Sequence, residues 1–568
     1  MLIRTTVCVA LLAQVSPSST GEDGAADLVL RNAVVHTVDP ARPRAQALAI
    51  RGGRILAVGS NEEVQTLVGP ETRVRDLAGR TVVPGFDDSH AHLLGIGFAR
   101  LDVNLRGTTS YAEVVERAAA AVKTRRPGEW IRGRGWHEEK WSAPASGSVK
   151  GFPTHEALSA VSPDNPILLA RADGHAVLAN ARAMSLLGIT GETPTPQGGE
   201  IIRDSTGEPT GLFVDNAQGL LGAPERTDSE RRRALDLAMD ECLEKGVTSL
   251  TDAGATEETL ALYRAFAETG RLRTRVYAMV SGQRTMRAVG RPEIGLGDGF
   301  LTIRAVKLYA DGPLGSRGAA LLEPYADDPG NVGLLVTPPE RLREATRDAL
   351  ARGFQVGIHA IGDRANRIVL DIYEEAMNEA ALGESPRFRI EHAQLIDAKD
   401  IPRCGRLGVL AVMQGIHCTS DRPWAPRRLG EARVNEGAYV WHKLLSSGAR
   451  AINGTDAPVE DLSPIENFYA TVTRQDAAGR PRGGFDPDQR LSREEALQMM
   501  TRDAAYASFE ESRKGSIEPG KLAGLVVLSR DTLSVPDEEL LGTKVLATIV
   551  NGRVLYESPE LAVNSGPP

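Results

Sequence analysis

Short stretches of alternating or continuously apolar residues lie at both ends of the chain. The first set, within residues 26–83, comprises DLVLRNAVVHTVD, ALAIRGGRILAVG and VRDLAGRTVVPG, and the second, within 506–560, comprises GSIEPGKLAGLVVLSRD and KVLATIVNGRVLYES. Turn-forming residues interrupt both sets, as in β-hairpins, and Asn551-Gly552 is a candidate type I′ turn. Because neither set is large enough for a stable sheet alone, we predict one composite β-sandwich built from both chain ends.

A different pattern fills residues 84–505, where apolar strands are followed by amphipathic helical stretches. The strand segments, in order, are TVVPGFDDSHAH, GVTSLTDAG, RTRVYAMV, IRAVKLYADG, QVGIHAIGD, FRIEHAQL, LGVLAVMQGIH and ARAINGTDAP. Stretches such as SERRRALDLAMDECLEKG and PPERLREATRDALARG separate most of them. Strand–helix units in this number predict an α/β fold, a (β/α)8 TIM barrel.

About residues 105–225 interrupt this pattern after the first barrel strand. The segment contains GEWIRGRGWHEEKW and NPILLARADGHAVLANARAM. It is too long for an ordinary connection between a strand and a helix. We therefore predict an inserted subdomain that covers the mouth of the barrel.

Metal-binding types of side chain stand at the predicted C-terminal ends of the barrel strands, where the active site of this fold lies. His90 and His92 share one side of the first strand, because residues i and i+2 of an extended chain point the same way. Later strand ends supply Lys307, His359, His392 and Asp456. Histidine and carboxylate are the ligands that zinc prefers, so the pattern predicts a metal site at the barrel mouth.

These stretches resemble the amidohydrolase superfamily, specifically the YtcJ-like metal-dependent hydrolases of the amidohydrolase 3 group. The matching motifs are VVPGFDDSHAHLLG, RADGHAVLAN, KLYADGPLGSRGA, GIHAIGDRAN, RIEHAQL and NGTDAPV. The resemblance covers essentially the whole chain after about residue 25. It implies a hydrolase of small molecules, and relatives in the group include N-substituted formamide deformylases.

The resemblance also implies two divalent ions, with Zn²⁺ as the expected metal, held by His90, His92, Lys307, His359, His392 and Asp456. The first two histidines and the aspartate would bind the more buried ion, and the other two histidines would bind the second. Lys307 would bridge the ions as a carbamate, formed when an unprotonated amine adds carbon dioxide. The alternative is an unmodified Lys307 paired with Asp311, which would leave a one-metal site.

Catalysis by such a site requires a group that moves protons. We expect Asp456 to accept the proton of the attacking water and deliver it to the leaving group. His417, just past the seventh strand, is the second catalytic candidate, as a donor to the substrate oxygen, with a structural loop histidine as the alternative. The substrate-binding candidates are Asp173, His175, Trp136 and Trp424, with packing as the alternative for both tryptophans. We interpret four other histidines as structural or surface residues: His36, His137, His155 and His442.

The expected reaction is hydrolysis of a non-peptide C–N bond, in an amide or an N-substituted formamide. One alternative is a single-metal deaminase that uses the same histidines and Asp456 on a ring C–N bond. The other is a non-catalytic scaffold, although scaffolds of this kind usually lose ligands and here every motif position is filled. Metal content per chain would separate the first alternative from the two-metal hydrolase.

Composition narrows the partners and the compartment. The chain has 568 residues, 41% hydrophobic and 25% charged, with a net charge of -9 and four cysteines. Acidic and basic residues are interspersed, so the sequence predicts no basic surface for nucleic acid. The cysteines are too few for a disulfide framework. No apolar stretch is long enough to span a bilayer. We expect a small-molecule substrate and a homodimer. Residues 1–20 resemble a signal peptide, which predicts a periplasmic or secreted protein; the alternative is a disordered leader on a cytoplasmic one.

Overall fold

The computed structural model describes residues 24–197, 199–222, 224–379 and 385–562. The predicted signal peptide therefore lies outside the described residues. The described part of the chain begins with short strands and one helix: β1 (Leu28–Arg31), β2 (Val34–His36), β3 (Arg44–Ala45), β4 (Ala47–Arg51), β5 (Arg54–Gly59), α1 (Asn61–Gln65), β6 (Arg73–Asp76) and β7 (Thr81–Pro84). Helix α1 begins with a capping box, in which Ser60 and Glu63 exchange side-chain and backbone hydrogen bonds.

The next strand, β8 (Phe86–Ala91), is buried along its whole length and opens the barrel. An inserted sheet-and-helix region follows: α2 (Leu93–Leu101), β9 (Val103–Asn104), α3 (Tyr111–Val122), β10 (Ile131–Trp136), a 3-10 helix (Glu138–Lys140), α4 (Glu156–Val161), β11 (Ile167–Arg171), β12 (Ala176–Ala179), α5 (Ala181–Leu186), β13 (Gly199–Arg203), β14 (Pro209–Asp215) and a second 3-10 helix (Asn216–Leu220). Its strands form one sheet in the order β13-β14-β12-β11-β10-β9. The insertion thus has a sheet and an apolar core of its own.

The chain then returns to the barrel with α6 (Asp228–Glu244), β15 (Val247–Ala255), α7 (Glu257–Glu268), β16 (Arg275–Ser281), α8 (Gly282–Val289), β17 (Glu293–Gly295), α9 (Leu296–Gly299), β18 (Leu301–Tyr309), α10 (Pro339–Arg352), β19 (Gln355–Ala360), α11 (Asp363–Glu379), β20 (Arg389–His392), α12 (Ile401–Arg406), β21 (Leu410–Met413), α13 (Gly415–Asp421), α14 (Ala425–Leu429), α15 (Glu431–Gly437), α16 (Trp441–Ser446), β22 (Arg450–Asn453), α17 (Pro464–Thr473), a 3-10 helix (Pro487–Gln489), α18 (Arg493–Met499) and α19 (Arg502–Ala507). The buried faces of these helices pack with the strands in the largest core cluster of the described residues.

The barrel strands are parallel neighbours in the order β22-β21-β20-β19-β18-β16-β15-β8, with the short β17 paired outside this path. Two backbone hydrogen bonds join the ends of the order near the site: Asp456 N donates to His90 O at 2.7 Å, and His92 N donates to Ala457 O at 2.7 Å. The α/β barrel expected from the sequence is confirmed.

The chain ends with β23 (Leu525–Leu528), α20 (Asp537–Leu540), β24 (Val545–Val550), β25 (Arg553–Glu557) and α21 (Pro559–Ala562). These strands join the N-terminal ones in a mixed sheet, β25-β24-β23-β7-β2-β3, in which β7 pairs with β23. A second sheet, β5-β4-β1-β6, contributes to the same apolar core, where Leu30 and Leu525 are buried. The exact limits of the sequence-derived domains stay predictions. Within the described residues, every helix is too short or too polar to cross a bilayer.

Candidate active site

Two histidines and an aspartate meet where the first and last barrel strands end. His90 is fully buried near the end of β8, and His92 follows as the residue before helix α2. Oδ1 of Asp456 lies 3.2 Å from Nε2 of His92 and 3.6 Å from Nε2 of His90. The ligand atoms of these three residues all lie within 4.8 Å of one another, so together they could hold a metal ion.

A buried carboxylate fixes the orientation of the His90 ring. Nδ1 of His90 is 2.5 Å from Oε2 of Glu391, whose other oxygen accepts a hydrogen bond from Nε of Arg389 at 2.6 Å. Burial alone would raise the pKa of Glu391, but Arg389 and His90 hold it well below its usual range. Burial lowers the pKa of His90 to about 4. His90 is therefore neutral at physiological pH, with Nε2 free to face the cavity, as a metal ligand requires.

A second group of possible ligands shares Asp456. The ligand atoms of His392, His417 and Asp456 also lie within 4.8 Å of one another, and Nε2 of His417 is 3.8 Å from Oδ2 of Asp456. Nδ1 of His392 is 2.9 Å from Oε1 of Gln414, which leaves Nε2 for the cavity. Burial lowers the pKa of His392 well below its usual value, so this ring too is neutral. Asp456 thus stands between two potential ion positions.

Lys307 and His359 complete the converging set from β18 and β19. Lys307 is 1% exposed, and its Nζ lies 3.4 Å from Nε2 of His90. The His359 ring centroid is 4.5 Å from that of His392, and burial lowers the pKa of His359 well below its usual value. Asp311 accepts hydrogen bonds from the backbone N–H groups of Ala320, Ile361 and Gly362. Oδ1 of Asp311 also lies 3.7 Å from Nε2 of His359, and the alternative pairing of Lys307 with Asp311 is absent among the described ion pairs.

The loop that carries Asp456 is held tightly against the first barrel strand. Asp88 accepts hydrogen bonds from Thr455 N at 3.0 Å, from Thr455 Oγ1 at 2.6 Å and from His90 N at 3.1 Å. A Cβ on Gly454 would come within 2.4 Å of His90 N, so only glycine allows this approach. Asp456 itself has a φ of 57°, a left-handed conformation that non-glycine residues adopt at a cost.

The converging residues open into a cavity of about 370 Å³ between the barrel and the insertion. Of the substrate-binding candidates, Asp173, His175 and Trp424 line it. Trp136 does not: its ring is 1% exposed in the core of the insertion, where Nε1 donates to Leu169 O at 2.8 Å. The reason is a bulge at Gly135, with a φ of 114°, which shifts the strand register and turns Trp136 toward the core.

Some cavity residues were not singled out from the sequence. Arg134 and Gln394 line the cavity, and so does His137, which was interpreted from the sequence as a structural or surface residue. Burial lowers the pKa of His137 well below its usual value. Two of these residues could have been found by their position in the sequence, because Arg134 and His137 lie on either side of the candidate Trp136 in the stretch GRGWH.

The inward-facing atoms behave as a ligand set. Nε2 of His359, Nε2 of His417 and Oδ1 of Asp456 are buried without a hydrogen-bond partner among the described residues. Unpaired buried polar atoms are costly, and imidazole nitrogens and carboxylate oxygens are what divalent metals bind. The residues therefore fit a metal centre, and it lies at the carboxyl ends of the barrel strands, where enzymes of this fold have their active sites.

The chain belongs to the amidohydrolase family, whose Amidohydro_3 model matches residues 73–556. Protein LONG AFTER FAR-RED 3 of Arabidopsis thaliana is 35% identical over 94% of this chain and 92% of its own length. The N-substituted formamide deformylase of Arthrobacter pascens is 32% identical over 94% of this chain and 98% of its own. The crystal structure of an uncharacterized metal-dependent hydrolase from Pyrococcus horikoshii OT3 superimposes with a TM-score of 0.74 at 29% identity, covering 90% of this chain and 99% of that one.

Proposed function

We propose that this protein is a metal-dependent amidohydrolase that hydrolyses a non-peptide C–N bond in an amide or an N-substituted formamide. The observation that carries the proposal is the pair of ligand groups that share Asp456 inside one cavity. Membership of the amidohydrolase family and the 32% identity to a formamide deformylase support the choice of bond.

The ligands are proposed as follows. His90, His92 and Asp456 would hold one divalent ion, and His359 and His392 the second, with zinc as the proposed metal. When bound, such ions polarise a carbonyl group and lower the pKa of a water molecule. Nε2 of His417 lies 3.8 Å from Oδ2 of Asp456, and we propose that His417 donates a hydrogen bond to the substrate oxygen instead of binding an ion.

Lys307 is proposed to carry a carbamate that bridges the two positions. Its amine is buried, lies beside His90 and has no carboxylate partner among the described residues. A buried lysine needs an opposite charge or must lose its own. The neutral amine adds carbon dioxide through a new N–C bond and releases one proton, which leaves a carbamate anion that would suit two neighbouring metal ions.

Asp456 is proposed as the group that moves the proton. Burial alone would raise its pKa, but the contact with His92 and the neighbouring imidazoles hold it well below the usual range, so the carboxylate is ionised and can accept a proton. In the reaction the water oxygen bonds to the carbonyl carbon and the C–N bond breaks. Asp456 takes the water proton and gives it to the leaving nitrogen. The products are a carboxylic acid and an amine.

The test is a hydrolysis screen of N-formyl, N-acyl and cyclic amides, with metal content measured on the same preparation. We expect turnover of open-chain amides or formamides at a metal content near two ions per chain. A content near one ion, with release of ammonia from a ring substrate, would favour the single-metal deaminase instead. No turnover of any member by the fully metallated protein would contradict the proposed function.

A further inference from the structure

Arg134, like Lys307, is a basic residue of the cavity that lacks an ion-pair partner among the described residues. Arg134 lies on β10 of the insertion and lines the cavity together with Asp456. Its Nη2 donates to Ala172 O at 2.8 Å, and its Nε is buried without a hydrogen-bond partner among the described residues. No carboxylate in the described part of the chain comes within ion-pair distance of this guanidinium.

Other basic residues nearby are already neutralised. Arg171, on the adjacent strand β11, pairs with both Glu138 and Asp173. Lys140, at the cavity edge, lies 3.8 Å from Glu460. Glu138 and Asp173 of the insertion are therefore engaged by Arg171, and Arg134 lines the cavity without a paired carboxylate among the described residues.

A half-buried guanidinium without a counter-ion is costly unless a ligand supplies the charge. Burial lowers the pKa of Arg134, while the charges of Asp456 and Asp173 act in the opposite direction. The field of Asp456 thus reaches Arg134 across the cavity. Because metal ions would engage the Asp456 charge, the guanidinium still needs an anion of its own when the site is loaded.

Part of the cavity wall is apolar. Tyr309, Leu314, Ile361 and Trp424 line the same cavity, and the Tyr309 ring centroid lies 5.5 Å from that of His359. The cavity can therefore accept an apolar group of a ligand as well as its charged end. Guanidinium binds carboxylate in a planar fork of two hydrogen bonds, which favours a carboxylate at this end.

We propose that Arg134 is the specificity-determining residue for an anionic substrate, an N-formyl or N-acyl amine that bears a carboxylate near the scissile bond and an apolar side group. The inference rests on the proposed amide hydrolysis and narrows its substrate class. Arg134 holds the carboxylate, the apolar wall holds the side group, and the scissile carbonyl lies toward Asp456.

The experiment uses the metal-loaded full chain and two formamides that differ only in the carboxylate, N-formylphenylalanine and N-formylphenethylamine. The wild-type protein should prefer the first in kcat/KM. Arg134→Gln should lower the ratio of the two kcat/KM values by about 10- to 100-fold, the size of a charge-assisted hydrogen bond, mainly through KM. Arg134→Lys should retain part of the preference. Equal losses for both substrates would mean that Arg134 only supports the turn at Ala172, and would overturn the proposal.

A binding measurement separates this inference from the proposed function. Calorimetry should show that 3-phenylpropionate binds the wild-type protein more tightly than 3-phenylpropanol, and that Arg134→Gln removes the difference. The matched control is Arg132→Gln, two residues away on β10, where the guanidinium donates to Pro224 O; it should keep the wild-type preference. If no amide of the hydrolysis screen is turned over, the proposed function fails while the calorimetry still decides the role of Arg134. Equal binding of 3-phenylpropionate to wild type and Arg134→Gln would overturn the inference.

Discussion

Nε2 of His92 lies 3.2 Å from Oδ1 of Asp456, although the two residues follow the first and the last strands of the barrel. The contact exists because parallel strands in a closed barrel bring their carboxyl ends to one rim. Asp456 also reaches toward His90 and His417. A single carboxylate therefore links residues from both ends of the barrel sequence.

Changing Asp456→Asn should remove the proton carrier while preserving the shape of the side chain. We expect kcat to fall by about 10²-fold or more, with most of the bound metal retained. Steady-state kinetics and metal analysis on one preparation check this. Glu460→Gln, a cavity carboxylate paired with Lys140, should stay close to wild type. Near-normal turnover by Asp456→Asn would mean that another group moves the proton.

Changing Lys307→Ala should empty at least one metal position and abolish hydrolysis, because the bridging anion is lost. Short carboxylic acids added to the variant should partly restore metal content and activity by lending a carboxylate. Wild-type apoprotein should also reconstitute better with bicarbonate than without it. Lys140→Ala, at the cavity edge, is the control and should keep its metal. An unmodified amine at Lys307 in a fully metallated crystal would refute the two-metal mechanism.

Changing Glu391→Gln tests the orientation of the His90 ring. The carboxylate contacts Nδ1 of His90 at 2.5 Å, and such partners of metal-binding histidines are worth about 10- to 100-fold in metal affinity. We expect a loss of that size in competition with a chelator. Glu375→Gln, which loses only a partly exposed pair with Arg343, is the control. Unchanged metal affinity would show that His90 keeps its orientation without the carboxylate.

Changing Gly454→Ala should push the Asp456 loop away from the first strand, since the new Cβ would lie 2.4 Å from His90 N. Overpacking of this kind costs about 1–3 kcal/mol, so both the melting temperature and the metal content should fall. At Gly330 a Cβ would meet no heavy atom within 4 Å, and Gly330→Ala should change neither. Identical behaviour of the two variants would mean that the loop can move without disturbing the site.

The barrel was predictable because its evidence is local and repeated. Most barrel strands contain an apolar run and most are followed by a helical pattern, so the order of the strands from β15 to β22 follows from the chain alone. The apolar run TVVP before β8 forms β7, which belongs to the mixed sheet and not to the barrel. The convergence of His90, Lys307 and Asp456 then follows from the geometry of parallel strands. This part of the site could therefore be predicted without knowing which distant residues are in contact.

The features that the sequence did not reveal depend on departures from regular strand geometry or on how the insertion packs on the barrel. Alternation along β20 puts Glu391 and His392 on opposite sides, yet His392 has a φ of 75°, and both side chains reach the same site. The bulge at Gly135 likewise turns Trp136 into the core. Arg134 reaches the cavity because of the way the insertion packs on the barrel, which no local pattern encodes.

The pairing of β7 with β23 has a consequence for the order in which the protein is made. Strand β7 emerges from the ribosome before any barrel strand, but its partner at Leu525–Leu528 emerges only after all of them. Until then one edge of β7 has exposed backbone groups, and such edges invite pairing with other chains. The mixed sheet therefore forms late in synthesis. In a chain that stops short of β23, the N-terminal strand β7 would lack its hydrogen-bonding partner on that edge.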